Sequence, residues 1–357
     1  MQLTRQFWGI GATCLLLAGC GAEVITSDGA TDPTLTTPGA DGSGTGWHLL
    51  APKGSGPAEI NASTHAPGLQ AIFAARMWDD QAGTLWRFDL RTNSWRQLTA
   101  TNWPLGKYRN LIYDAPNRRL LTYWDGLGQV YSIPETGGAW IPEGSAGNLD
   151  QYYEGYAFFN PVSRRLSVYA GYGFGTWQDL LWEWDGAGSQ WVNTPQSSPR
   201  PAPRFGHGPS TVAVDEGGKR AFLGQRSLGA ASGGYDDLWS LDLRTNTWRN
   251  LIAPDSGANA RLGSALAYAS RTRLLYRFGG CSPIGGAGVC STMTNELRSA
   301  RPGSASPAWT RIRNTGSPPS PRTQAGLYYD APRHRLILIS GLDGQSWQDD
   351  AWSYKLP

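Results

Sequence analysis

The chain has 357 residues, of which 17% are charged, and a formal net charge of +3. Glycine (46), proline (24) and tryptophan (17) are abundant, and no long helical periodicity is present. Glycine and proline mark turns and aromatic residues favour pleated strands, so the composition predicts an all-β domain. The charge balance and the lack of a basic run give no reason to expect nucleic acid as a partner.

The first residues are predicted to be an export signal, not part of the fold. Arg5 precedes an apolar stretch, residues 7–18, that is far shorter than the roughly 20 residues needed to cross a bilayer. The stretch ends in Leu-Ala-Gly before Cys20, which resembles the lipobox of bacterial lipoproteins. This resemblance implies cleavage after residue 19 and a membrane anchor of acyl chains such as palmitate on Cys20. An ordinary signal peptide cut elsewhere and an uncleaved N-terminal anchor are the alternatives.

The signal at 1–19 is followed by a segment with almost nothing to bury. Residues 20–45 are mainly Gly, Thr, Asp, Ser and Pro, a composition that predicts a flexible tether to a folded domain at 46–357. The expected location is the bacterial cell envelope. Gly21 is compatible with sorting to the outer membrane, by analogy with lipoproteins in general, and the periplasmic face and the cell surface both stay open.

Two cysteines belong to the folded domain, because Cys14 leaves with the signal. Cys281 and Cys290 enclose a glycine-rich stretch. In an oxidising compartment such a pair predicts a disulfide that clips a loop. Two free thiols or a metal pair are the alternatives, although no neighbouring His or Cys completes a metal site.

A repeated segment organises the domain. Residues 85–95 read LWRFDLRTNSW and residues 238–248 read LWSLDLRTNTW, and a third copy runs from Leu181 to Trp191. The final tryptophan of the segment recurs every 45 to 61 residues, which fits one four-stranded unit. These marker tryptophans are Trp47, Trp95, Trp140, Trp191, Trp248 and Trp309.

Each unit also contains a hairpin that starts with Asp or Asn, often continues with Pro, and returns through an Arg. Its copies are residues 114–119, 160–165, 215–220 and 330–335. The strand that follows ends at glycine, which permits a positive φ or close backbone packing. The glycines concerned are Gly126, Gly171, Gly224, Gly279, Gly280 and Gly341.

The two ends of the domain complete each other. The chain stops at residues 350–357, an aromatic strand with no marker strand after it, and the domain begins at residues 46–50, a marker strand with no aromatic strand before it. Pairing the two segments makes a sixth unit and closes a ring that has no free edge.

The repeat resembles the kelch family and the central domain of galactose oxidase: a Pro-Arg entry, a strand ending in glycine, an aromatic strand with Asp, and Trp six residues later. The resemblance covers about residues 46–357 and implies a six-bladed β-propeller. Seven blades would need a hidden repeat between Pro57 and Gly83, where the strands of the first blade cannot be placed, or around residues 255–295.

Most of the repeated residues need no function beyond structure. The marker tryptophans are predicted to pack between sheets, and Asp89, Asp185 and Asp242 to make turn hydrogen bonds. Galactose oxidase uses copper held by tyrosines and histidines, with a Tyr–Cys crosslink. The histidines of this chain, His48, His65, His207 and His334, show no spacing that assembles such a site. We therefore predict no catalytic residue, metal or cofactor.

One group of residues remains as a candidate site. By the kelch alignment, arginines open the innermost strand of several blades, and a ring would aim them toward one mouth of the central channel. There they could hold a carboxylate, a phosphate or an acidic sugar. The group consists of Arg109, Arg204, Arg261 and Arg322, with Tyr152 and His207. The alternative is that each arginine binds loop carbonyls or an aspartate within its own blade.

Two functions are compatible with these patterns. The first is a non-enzymatic lipoprotein whose propeller binds an unknown protein or glycan through loops, chiefly residues 226–236 and 281–294. The second is a carbohydrate-active enzyme or sugar-acid-binding protein that uses the channel mouth, similar to propeller epimerases of sialic acid. The lack of a carboxylate or histidine pair in phase between blades favours the first. An enzyme should gather a histidine or carboxylate with a shifted pKa in the channel.

Overall fold

The computed structural model describes residues 46–51, 56–77, 83–104, 110–123, 128–144, 149, 154–204, 206, 208–227, 234–253, 261–284, 289–313 and 316–357. All of these residues belong to one compact unit. The predicted signal, the tether and Cys20 lie outside the described residues and stay predictions. Within the described ranges, no helix has the length and apolar character needed to span a membrane.

Strands dominate the described residues, and a 3-10 turn occupies Pro67–Leu69. The first fifteen strands are β1 (Gly46–Ala51), β2 (Ala62–Ala66), β3 (Ala71–Arg76), β4 (Thr84–Asp89), β5 (Ser94–Leu98), β6 (Ala100–Thr101), β7 (Ile112–Asp114), β8 (Arg119–Tyr123), β9 (Val130–Pro134), β10 (Gly138–Ala139), β11 (Ile141–Pro142), β12 (Tyr156–Asn160), β13 (Arg165–Gly173), β14 (Thr176–Asp185) and β15 (Gln190–Thr194). The others are β16 (Val212–Asp215), β17 (Arg220–Ser227), β18 (Gly234–Asp242), β19 (Thr247–Ile252), β20 (Ala265–Ala269), β21 (Leu274–Phe278), β22 (Cys281–Ile284), β23 (Val289–Met293), β24 (Leu297–Ala300), β25 (Thr310–Ile312), β26 (Gly326–Asp330), β27 (Arg335–Ile339) and β28 (Ala351–Lys355).

Most of these strands form six antiparallel four-stranded sheets, the blades of a six-bladed β-propeller, and two further pairs are β6 with β10 and β22 with β23. Blades 1 to 6 are β2-β3-β4-β5, β7-β8-β9-β11, β12-β13-β14-β15, β16-β17-β18-β19, β20-β21-β24-β25 and β26-β27-β28-β1. The first strands of neighbouring blades contact one another around the whole ring, so they line the channel. The predicted fold class is confirmed, with six blades and not seven.

The ring closes where the sequence predicts. β1 pairs antiparallel with β28 as the outer strand of blade 6, with Trp47 opposite Tyr354 and Leu49 opposite Trp352. The region of the first blade that could not be placed from the sequence contains β2 and β3, the two inner strands of that blade. It holds no additional repeat within its described residues.

The hydrophobic core consists of six layers, each between two neighbouring blades. Every marker tryptophan packs in the layer between its own blade and the preceding one, which confirms sheet-to-sheet packing as their role. Trp191 in blade 3 is buried and donates its indole N–H to the carbonyl of Gly128 in blade 2 at 2.7 Å. The marker tryptophans therefore hold adjacent blades in register.

The repeated turns have a common geometry at the end of the propeller where the first strand meets the second. The residue before the second strand has a positive φ of 50° to 58° in five of these hairpins. These residues are Arg118, Arg164, Lys219, Arg273 and His334. At the third-strand turns, the Asp89 and Asp242 carboxylates accept backbone N–H bonds two residues on, each at 2.9 Å, as predicted.

The insertion in blade 5 is a small hairpin of β22 and β23, in which Pro283 lies opposite Cys290. Cys281 is fully buried. The side chain of Cys290 lies outside the described residues, so the disulfide between these cysteines stays a prediction.

Candidate functional site

The structure describes only some of the residues predicted to lie at the channel mouth. Arg109, Tyr152 and His207 lie outside the described residues, as does Cys20, the predicted lipidation site. Arg204, Arg261 and Arg322 are described. All three lie at the end of the propeller that carries the connections between second and third strands, whose described residues include 171–178, 225–227, 234–236, 279–284, 289–296 and 340–350. We call this end the hairpin face.

Arg204 and Arg322 are buried inside their blades, each only 1% exposed. Arg204 forms a two-point ion pair with Asp237, with N–O distances of 3.0 and 2.7 Å, and also donates to the carbonyl of Ala202. Burial lowers the pKa of Arg204 but Asp237 raises it further, and the pKa ends above its ordinary value. Arg204 therefore stays charged, and it donates hydrogen bonds to groups of its own blade.

Arg322 repeats the arrangement in blade 6. Its guanidinium meets both carboxylate oxygens of Asp350 and donates to the carbonyl of Ser340. The indole N–H of Trp352 donates to the same carboxylate at 2.8 Å, as Trp239 does to Asp237. Both arginines therefore match the alternative interpretation, in which each binds an aspartate of its own blade. An anion site at the channel mouth stays a prediction.

Arg261 occupies the corresponding position in blade 5 but has different surroundings. It is partly buried, and its Nη1 donates to the hydroxyl of Ser282 in the inserted hairpin at 3.0 Å. Burial and the neighbouring Arg298 lower the pKa of Arg261, whereas Glu296 raises it. Glu296 stands one residue before β24, as Asp350 stands before β28, yet it pairs at 2.8 Å with Arg298.

Blades 3, 4 and 5 carry extended connections at the hairpin face. β13 and β14 have 9 and 10 residues, and β17 and β18 have 8 and 9, whereas the corresponding strands of blade 6, β27 and β28, have 5 each. The sequence predicts insertions at 226–236 and 281–294 but gives no sign of the extension of blade 3. Residues 171–178 belong to a continuous hairpin there, paired from Gly171 opposite Gln178 to Gly173 opposite Thr176.

The tip of the blade 3 hairpin is aromatic. Tyr172 and Trp177 lie opposite each other and meet edge to face with ring centroids 5.2 Å apart. Phe174 in the turn is 54% exposed. Large exposed apolar side chains grouped in this way are typical of interaction sites. We call Tyr172, Phe174 and Trp177 the aromatic tip.

The aromatic tip reaches blade 5. Trp177 packs against Leu262 and Cys281, which also contact Met293. Blades 3 and 5 are not neighbours in the ring, so this contact joins two non-adjacent blades at the hairpin face. Leu262 follows Arg261 and Cys281 precedes Ser282, so the aromatic tip and Arg261 lie at one site.

The channel wall also contains His65, on the first strand of blade 1. The imidazole is partly buried and packs against Tyr328 of blade 6, with ring centroids 5.8 Å apart. The Tyr328 hydroxyl shares a 2.7 Å hydrogen bond with Ser63, and burial raises its pKa. Burial lowers the pKa of His65 to about 4, against a smaller opposing effect of Asp330. His65 is therefore a neutral imidazole at the pH of most cell compartments.

We expect the His65→Phe variant to fold and to lose less of its free energy of unfolding at acidic pH than the unaltered protein. The unfolded chain protonates His65 near pH 6.5, and the folded chain only near pH 4, so its contribution to the free energy of unfolding falls by about 2–3 kcal/mol between these values. Phenylalanine already fills the equivalent position in β12, Phe159. Urea unfolding at pH 7 and pH 4.5 measures the difference. If the free energy of unfolding falls by the same amount from pH 7 to pH 4.5 in both proteins, His65 is not held neutral in the folded chain.

The other described histidines do not join His65. His334 binds the Tyr329 hydroxyl through Nδ1 at 2.7 Å, and His48 lies on β1 at the outer edge of blade 6. No group of three His, Cys, Asp or Glu side chains that could hold a metal ion occurs in the described ranges.

Comparison with known proteins identifies the fold and nothing finer. No protein-family model matches the chain, and no curated protein matches it. A solved structure titled "Structure of YjhT" matches with a TM-score of 0.64 at 13% sequence identity, over 86% of this chain and 97% of that one. At this identity the similarity establishes a shared propeller fold.

Proposed function

We propose that this protein is a lipid-anchored, extracytoplasmic binding protein whose kelch-type propeller presents its hairpin face to a protein partner. The Leu-Ala-Gly-Cys sequence at residues 17–20 supports the anchor, and the repeats at 85–95 and 238–248 support the kelch assignment. A rigid propeller with extended connections on one face suits a binding role, since loops on rigid scaffolds carry recognition.

The aromatic tip is the observation that carries this proposal. Tyr172 and Phe174 are exposed, and Trp177 joins them to the site of Arg261. Tyrosine, tryptophan and arginine are enriched among the residues that dominate protein–protein binding energies, because they combine large contact area with polar ends. A glycan bound by the same rings is the alternative outcome of the test.

Photo-crosslinking tests the proposal in cells that express the full chain. A photoreactive residue replaces Thr176, exposed at the tip, and in a control it replaces Val162, exposed at the opposite end of the same blade. We expect a discrete protein adduct from position 176 and none from position 162. Tyr172→Ala with Phe174→Ala should reduce that adduct at least tenfold, because hot-spot aromatics each contribute about 2 kcal/mol.

Val162→Ala serves as the matched variant and should leave the adduct unchanged. If position 176 gives no adduct, the protein partner is excluded. A glycan array probed with the same full-length proteins then decides whether the aromatic tip binds sugars.

A second candidate is a carbohydrate-active or sugar-acid-binding role in the channel. His65 favours it, because it is a histidine with a shifted pKa on a strand that lines the channel, next to Tyr328. The burial of Arg204 and Arg322 in ion pairs weakens it, since these arginines were the expected anion ligands. His65→Phe separates the candidates: it would abolish turnover in the channel and leave crosslinking at the tip unaffected.

A further inference from the structure

Three arginines form a row across blade 5. Arg277 on β21 lies directly opposite Arg298 on β24, and Arg298 lies directly opposite Arg311 on β25. Directly paired residues share one face of a sheet, here the face toward blade 4, where Arg277 forms an ion pair with Asp236. The exposed fraction of the three side chains rises from 3% through 17% to 68%, so the row runs from the core to the surface.

One carboxylate serves the outer part of this row. Glu296 forms ion pairs with Arg298 and Arg311 through different carboxylate oxygens, with N–O distances of 2.8 and 3.4 Å. Burial raises the pKa of Glu296, but the charges of Arg298, Arg311 and Arg261 lower it below its ordinary value. Three guanidinium groups thus act on a single carboxylate among the described residues.

The arginines also repel one another. Burial lowers the pKa of Arg261, and the charge of Arg298 lowers it further against the opposing charge of Glu296. Like charges directly opposite in a sheet cost stability. A second anion next to Glu296 would remove this repulsion and gain charge-assisted hydrogen bonds.

We propose that Arg261, Arg298 and Arg311 form, beside Glu296, a binding site for one oxyanion, a carboxylate or sulfate group of the ligand. Planar guanidinium groups match these oxyanions by two-point contact. Arg261 donates to Ser282, and Trp177 packs on the adjoining Leu262 and Cys281, so the oxyanion lies beside the aromatic tip. This site goes beyond the proposed protein partner, because we expect a free oxyanion to bind to it as well.

Isothermal titration of the full-length protein tests the site, with sulfate, N-acetylglutamate and glucuronate as probes and chloride keeping ionic strength constant. Arg311→Gln should weaken binding about tenfold, because it removes one charged donor. Glu296→Gln should tighten binding at least fivefold, because it removes the competing carboxylate. Arg96→Gln, an exposed arginine on β5 of blade 1, should change nothing.

Opposite effects of Arg311→Gln and Glu296→Gln support the site, since general damage to blade 5 would weaken binding in both. Preference for N-acetylglutamate indicates an acidic side chain of a protein, preference for glucuronate a sugar acid, and equal binding of sulfate a site for any oxyanion. The proposal is overturned if no probe binds, or if Glu296→Gln binds no tighter than the unaltered protein. Either result leaves the crosslinking experiment to decide the partner separately.

Discussion

Asp350→Ala is expected to lower the free energy of unfolding by about 3–5 kcal/mol, because it leaves the guanidinium of Arg322 buried without its counter-charge. Arg322 is enclosed, and Asp350 also accepts the indole N–H of Trp352, so one substitution breaks three hydrogen bonds. Equilibrium urea unfolding at pH 7 measures the loss. The same result is expected for Asp237→Ala in blade 4, where Arg204 and Trp239 repeat the geometry.

A second variant separates burial of an uncompensated charge from disruption of the blade. Arg322→Met with Asp350→Leu removes both charges and should cost far less than Asp350→Ala, since apolar replacement of a buried pair is often nearly neutral. The matched surface pair is Arg200–Asp179, whose side chains are about a third exposed. Asp179→Ala should cost under about 1 kcal/mol. If the double variant is as unstable as Asp350→Ala, the ion pair is itself a net source of stability.

The sequence predicts the fold well because the same structural residues recur in most of its repeats. The marker tryptophan, the turn aspartate and the first hairpin each recur in phase, and each fixes one contact of the blade. Residues 46–50 and 350–357 each lack a partner strand nearby in the sequence. This predicts that the two ends of the domain pair with each other, as β1 and β28 do. The inner strands of blade 1 were missed because Ala62–Ala66 and Ala71–Arg76 carry neither the Asp-Pro turn nor the terminal glycine of other blades.

The site was predicted less well, because it depends on register and on partners. Arg204 and Arg322 were identified, but their aspartates were not, although the sequence Asp-Asp-x-Trp-Ser occurs at 236–240 and again at 349–353. That repeated acidic pair next to an aromatic strand was the available signal. Such a signal identifies the ion-pair partner of a buried arginine. It therefore predicts a structural role for that arginine and not a role in ligand binding.

The arginine row had no signal in the sequence. Arg277, Arg298 and Arg311 are separated by 21 and 13 residues, and only the strand pairing brings them together. The aromatic tip was hidden for another reason: residues 176–179 precede the repeated aromatic strand, so the repeat gives no signal for them. In the structure, this segment extends β14 beyond the blade. The features on which the proposals rest are therefore departures from the repeat.

Ring closure makes the strongest prediction about the whole molecule. Deleting residues 46–51 from the full chain should destabilise the propeller by about 5–10 kcal/mol, as much as many domains possess in total. The deletion removes buried Trp47, which packs against Phe278 and Tyr354, and buried Leu50. Truncating a buried Trp or Leu alone costs about 2–5 kcal/mol. It also leaves β28 as an unpaired edge that can join another chain.

Thermal unfolding and size-exclusion chromatography of the full-length variants measure this effect. A deletion of equal length in the predicted tether, residues 26–31, is the control and should change neither the melting temperature nor the elution volume. Trp47→Ala should fall between the two, with a loss of about 3–5 kcal/mol. A chain lacking residues 46–51 that melts with the control would mean that the first and sixth blades hold together through their inner strands, and that β1 is an addition to the ring and not its closure.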